Sequence, residues 1–190
     1  MKTVATILIC FCAFGFTYVS NISWQGENGE VPENFQKLVN RKLVKHFKVE
    51  SIILKKSDRE LMSANKQKTT PYYNVYNEKE ELLAHFVFNI TDACSFGGCA
   101  VPGKQKSSGI FHDKIYYYVI LNTDYTVQDI KVLEHESSYG MEIGTRYWLK
   151  QFFNTKPGNY KLGDNIDGIS GATVSVQAMI DDLNGLTHLQ

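Results

Sequence analysis

The chain lacks any charge bias: its 190 residues hold 20 Lys and Arg against 20 Asp and Glu. Without a basic excess there is no electrostatic footprint for nucleic acid or another polyanion. Cysteine is scarce, four residues in all. Cys10 and Cys12 fall in an apolar opening segment, so Cys94 and Cys99 are the pair left in the remainder. Their spacing is not that of a Cys-x-x-Cys oxidoreductase. With His85 and His112 scattered around them, they also lack the ligand spacing of a zinc site. Long apolar runs are few as well. Val4 through Val19, interrupted by Cys10, Cys12, Gly15 and Thr17 behind Met1-Lys2-Thr3, has the build of a secretory signal and is a little short for a comfortable membrane span. Export is therefore expected, with cleavage near Ser20 and retention as an uncleaved N-terminal anchor both open.

What is present suffices for one domain with a proper core, since 43% of the residues are hydrophobic and 21% charged. In an oxidising compartment Cys94 and Cys99 read most simply as a disulfide, with Gly97 and Gly98 letting the chain turn back. Closing so short a loop contributes on the order of 2 kcal/mol, which makes its purpose local shape. A redox-active dithiol is the alternative.

Pro32-Glu33 opens a helix whose apolar stripe is Phe35, Leu38, Val39, Leu43 and Phe47. Ser51 to Lys55 is a short strand, and Lys55 to Thr70 holds a second short helix or a mobile loop. Tyr72 to Tyr76 and Leu82 to Ile90 read as strands joined by a turn at Asn77-Glu78-Lys79-Glu80. Lys114 to Leu121 is apolar at nearly every position, which predicts a central strand covered on both faces, with Tyr116, Tyr117 and Tyr118 as packing residues. Val127, Ile130 and Val132 complete a hairpin with it. A loop from His135 to Gly140 then runs into a predicted helix over Met141 to Phe153, with Ile143, Tyr147, Trp148 and Phe152 on one side and Pro157-Gly158 as the stop.

The stretch with chemical character is Asp167-Gly168-Ile169-Ser170-Gly171-Ala172-Thr173. It leads into a helix marked by Val176, Met179, Ile180 and Leu183. A helix N-terminus has unpartnered amides and a positive dipole end, so a phosphate at Thr173 is physically comfortable there. Gly168 and Gly171, on both sides of Ser170, let another molecule approach the Thr173 hydroxyl closely. Ser and Thr are also common N-caps, and the same tetrapeptide reads as a cap alone.

Asp-Gly-Ile-Ser-Gly-Ala-Thr resembles the flavinylation motif of the covalent FMN-binding domains found in sodium-translocating NADH:quinone reductase and in the Rnf complex. Glu136, Gly140, Trp148, Gln151 and Phe152 are similar to the Glu loop and Trp helix of that family, although Ser137-Ser138-Tyr139 is shorter and lacks a Pro and a Gly. The resemblance covers roughly Ser108 to Leu183. It implies an α+β fold: a single FMN-binding domain with a largely antiparallel sheet and packed helices. An N-terminal segment (1–20) would precede an N-terminal part (21–105) and the FMN-binding core (106–190). It further implies FMN joined through a phosphoester to Thr173, attached from FAD by a separate flavin transferase using a divalent cation. Asp167, Ser170, Gly171, Ala172, Glu136 and Gly140 would shape the cofactor site, in the crevice between the Glu136 and Thr173 loops. The implied function is an electron carrier, periplasmic or membrane-anchored outside the cytoplasm, between a membrane donor and an unidentified acceptor. A flavin-dependent reductase using Cys94 and Cys99, and a flavin-free accessory subunit of a membrane redox complex, are the competing readings.

Overall fold

The computed structural model describes residues 24–25, 31–57, 61–62, 69–70, 72–93 and 113–189. Helix α1 (Glu33–Phe47) starts behind Pro32, with Glu33 in its first turn and Lys45 and His46 in its last, in keeping with the helix dipole. Its buried stripe is Phe35, Val39 and Leu43. Leu38, expected in that stripe, is half-buried toward the outer side instead.

The sheet has six strands: β1 (Trp24–Gln25), β2 (Ile53–Lys56), β5 (Tyr72–Tyr76), β6 (Leu82–Ala93), β7 (Asp113–Leu121) and β8 (Val127–His135), hydrogen-bonded in that order. Strands β2 to β8 pair antiparallel, and β1 joins β2 in parallel. The N-terminal part and the C-terminal part thus share one sheet, which makes the chain a single α+β unit. Short strands β3 (Leu61–Met62) and β4 (Thr69–Thr70) pair antiparallel where a helix or mobile loop was expected. Apolar and β-branched pairs suit a ladder better than a helix of this length.

Strand β7 is central and covered twice, as its apolar run predicts. Ile115, Tyr117, Val119 and Leu121 join a cluster with Trp148, Phe152 and helix α3 (Thr173–Gly185). Tyr118 and Ile120, pointing the other way, join Phe35, Val39 and Leu43 of α1. The β7–β8 hairpin closes through Asn122, whose N–H donates to the Thr126 carbonyl at 2.8 Å.

The helix predicted over Met141 to Phe153 is three short pieces: a 3-10 turn (Met141–Gly144), helix α2 (Arg146–Leu149) and a second 3-10 turn (Lys150–Phe152). Thr145 breaks it, extended at ψ 140°, with its hydroxyl accepting from the Trp148 N–H at 3.3 Å. As a result Ile143, Trp148 and Phe152 are buried, while Tyr147 is 76% exposed rather than on the packed side. Among the described residues no helix is long and apolar enough to cross a membrane.

One end of the sheet carries the Glu136 loop and the start of α3. At the other end the segment after α2 ties the hairpin to the end of α3. Val127 N–H donates to the Thr155 carbonyl at 2.9 Å. Tyr160 and Asn184 exchange two bonds of 2.9 Å each. Helix α3 is thereby held at its far end, which fixes the position of Thr173.

Candidate functional site

The motif loop is built as a turn. Ala172 N–H donates to the Ile169 carbonyl at 3.1 Å, and Gly171 takes φ +74°, the value the third position of a type II turn requires. Ile166 and Ile169 are buried and anchor the loop, whereas Asp167, Gly168, Ser170 and Gly171 are exposed. The turn delivers Ala172, not a hydroxyl residue, to the N-cap of α3, and no side chain caps that helix. Thr173 is its exposed first residue. The cap reading of the motif therefore does not describe this chain: Ser170 and Thr173 both stand clear of the capping position. The first turn holds no acidic residue, so the positive end of the dipole is unopposed.

The Glu136 loop comes to meet it. Glu136 N–H donates to the Lys114 carbonyl at 3.0 Å, and its carboxylate accepts from Lys114 N–H at 2.7 Å and from the Tyr116 hydroxyl at 3.2 Å. Burial, followed by the Glu136 charge, pushes the Tyr116 phenol above its usual range. Glu136 thus fastens its own loop to the start of β7. Ser137, 2% exposed, accepts from Tyr139 N–H at 3.1 Å and turns the chain. Gly140 then adopts φ +70°, and a Cβ placed on it would lie 2.3 Å from the Ala172 Cβ. The two loops that the sequence marks therefore touch, the Ala172 methyl lying against the Gly140 backbone.

A closed set of three hydrogen bonds holds the motif from behind. Trp148 Nε1–H donates to the Asp167 carbonyl at 2.9 Å. Asp167 N–H donates to Gln151 Oε1 at 2.8 Å, and Gln151 Nε2 donates to the Trp148 carbonyl at 3.0 Å. Trp148 and Gln151 act on the backbone of the motif, while the Asp167 side chain remains in solvent. Beneath α3, the Tyr117 hydroxyl lies 3.2 Å from Asp182 Oδ2 and 3.2 Å from Asn89 Nδ2. Burial first, then the Asp182 charge, holds the Tyr117 phenol well above its usual range.

Composition and spacing did not flag three further residues here. Of the large hydrophobic side chains exposed among the described residues, Tyr139 and Met141 flank Gly140 and Val174 follows Thr173. Together they give the loop junction an apolar rim. The available signal was their place beside Gly140 and Thr173 in the sequence. His135, the last residue of β8, pairs with Ile115 and so shares the α3 face. Both its ring nitrogens are buried without a hydrogen-bond partner among the described residues, and burial lowers its pKa against the opposing pull of Asp113. His85 lies at the other end of that face. Tyr72 Oη and Asn74 Oδ1 lie 2.6 and 2.8 Å from its Nδ1, and its ring stacks on Tyr125 at 4.8 Å. Cys94, Cys99 and His112 lie outside the described residues, as does the predicted N-terminal signal or anchor.

An exposed hydroxyl at an uncapped helix start fits a phosphate, and the apolar rim beside it fits a flat ring. Residues 111–186 match the family model of the FMN-binding domain. No curated protein matches the chain. The stretch that is similar to an FMN-binding domain takes in β7, β8, both loops and α3.

Proposed function

We propose that the FMN of this domain is joined covalently to Thr173 and that the protein is an extracytoplasmic electron carrier. The observation that carries the reading is Thr173 itself, an exposed hydroxyl at the first position of α3, where Ala172 leaves the helix start without a side-chain cap. A helix that needed Thr173 or Ser170 for stability would place one of them at the N-cap, a position worth about 1 kcal/mol. Instead the turn at Gly171 turns both hydroxyls outward.

In the attachment step the Thr173 oxygen forms a bond to the FMN-side phosphorus of FAD. The pyrophosphate bond to AMP breaks, AMP leaves, and the hydroxyl proton passes to a base of the transferase. Thr173 does not do this unaided, because a neutral hydroxyl is a weak nucleophile. A flavin transferase with a divalent cation is the expected partner. Once in place, the isoalloxazine supplies the one- and two-electron chemistry, and the protein supplies position and electrostatics. Here the start of α3 would hold the phosphate, and Tyr139, Met141 and Val174 would offer apolar surface to the ring. A covalent link also prevents loss of cofactor by dilution outside the cytoplasm. A membrane donor and a separate acceptor complete the proposal.

The test is the intact mass of the exported protein, made in cells that contain the flavin transferase, beside a Thr173→Ala variant. One FMN added to the wild type and none to the variant is the expected result. An unmodified wild type, with the transferase active on a control protein, would overturn covalent attachment. It would leave FMN bound reversibly.

A further inference from the structure

We infer that the outer face of α1 lies on an anionic phospholipid surface through Lys37, Arg41, Lys45 and Lys48. The first three recur every four residues and Lys48 follows on the helix C-cap, so they form one stripe, and all four are exposed. None of them takes part in an ion pair among the described residues, where Lys55, Lys114, His46 and Arg146 hold the partners. Asp129 on β8 is engaged by His46 at 3.8 Å and Arg146 at 3.5 Å. From Glu33 to Glu50 five Lys and Arg face two Glu, in a chain that is neutral overall. The stripe is therefore a segregation of charge, not a reflection of composition.

Shape agrees with the charge. Lys37, Arg41 and Lys45 line an open groove of about 770 Å³, together with the half-buried Leu38 and Val44 and with Glu50. Long basic side chains rising from apolar stems suit a surface where phosphates lie over hydrocarbon. The apolar stripe of α1 is already packed on the sheet, so the helix would rest on the headgroups and not sink among acyl chains.

The position of the chain supplies the second argument. Val19, which ends the apolar run, is five residues before Trp24, a reach of at most about 18 Å. Trp24 pairs with Leu54 of β2, and Leu54 belongs to the cluster that α1 covers. An apolar segment held in a bilayer would bring that edge of the sheet, and α1 with it, close to the lipid. Helix α3 and Thr173 lie on the opposite face, so the flavin of the loaded protein would look away from the membrane.

The test uses the full chain in vesicles of phosphatidylcholine alone and of phosphatidylcholine with one third phosphatidylglycerol. The rate of amine acylation is read at each lysine by mass spectrometry. Lys37 and Lys45 are expected to react about three-fold or more slowly on the anionic vesicles, with the difference removed by half-molar salt and Lys161 unchanged throughout. Arg41→Glu, an exposed change that leaves the packed stripe intact, should restore the Lys45 rate. Equal rates on the two vesicles would overturn the inference. Protection on neutral lipid, or protection in detergent that rises with protein concentration, would overturn it too, in favour of an apolar occupant or a second copy of the chain.

Discussion

Gly140 and Gly171 both adopt positive φ, at +70° and +74°, yet their surroundings differ. A Cβ at Gly171 meets nothing within 4 Å among the described residues, whereas one at Gly140 would sit 2.3 Å from the Ala172 Cβ, an atom that no rotamer change can move away. Gly171→Ala should therefore incur the left-handed backbone penalty alone, about 1 kcal/mol. Gly140→Ala adds overpacking at the loop junction, for a total of about 2–4 kcal/mol. Urea unfolding of the two variants separates the terms, and FMN content measured alongside should fall further in Gly140→Ala. Equal destabilisation would mean that the Gly140–Ala172 contact does not hold the loops together. The neighbouring hydroxyls are a different case. Both are exposed and neither caps α3, so Thr173→Ala should be close to neutral in stability, and under the proposed phosphoester link it should abolish cofactor attachment.

Among elements, the short α2 segment has an effect beyond its length, because Trp148 and Gln151 grip the backbone of Asp167 and so set where the motif loop begins. Trp148→Phe keeps a ring against Phe152 but removes the indole N–H, leaving the Asp167 carbonyl without that donor. The expected loss is about 1–2 kcal/mol of stability. Under the proposed covalent attachment, the more telling readout is the rate of FMN addition to Thr173 by a flavin transferase at saturating FAD, which should fall while the end-point stays at one FMN. An unchanged rate would reduce Trp148 to core packing. These elements were unequally legible in the sequence. Strand β7 announced itself because burial on both faces makes nearly every position apolar. Helix α3 did so through Val176, Met179, Ile180 and Leu183, all buried. The run from Met141 to Phe153 misled because apolar spacing of three and four survives a break at Thr145, and only a cap bond to Trp148 reveals it. The Asp167 bracket was invisible because it joins residues 16 and 19 positions apart through backbone atoms, which leave no compositional trace. Ser170 and Thr173 suggested capping, and the turn geometry that hands the cap to Ala172 depends on Gly171 taking a positive φ.

At the scale of the whole molecule, the α3 face of the sheet holds two histidines near its opposite ends, the buried His85 opposite Leu121 and the half-buried His135 opposite Ile115. Burial lowers both pKa values below 6.5. In the unfolded chain each takes up a proton as pH falls through its ordinary value, while the folded protein keeps both neutral until a lower pH. The unfolded state then binds more protons, so stability falls on acidification from about 6.5 down to the folded pKa values. The slope approaches about 1.4 kcal/mol per pH unit for each histidine within that window. At the alkaline end the buried phenols Tyr117 and Tyr118 act in the opposite sense. Their raised pKa values leave them neutral when the unfolded tyrosines ionise near 10, and stability declines above that pH. The protein should be most stable between these limits. Urea midpoints measured from about pH 5 to 7.5 should rise with pH. His135→Gln, which removes the histidine whose ring nitrogens lack partners, should flatten part of that rise without lowering stability at pH 7.5 by more than about 1 kcal/mol. A flat profile in the wild type would show that both rings gain compensating partners on protonation. A rise toward acid would require a carboxylate such as Asp113 to outweigh burial at His135, reversing the order of the two effects assigned to that site.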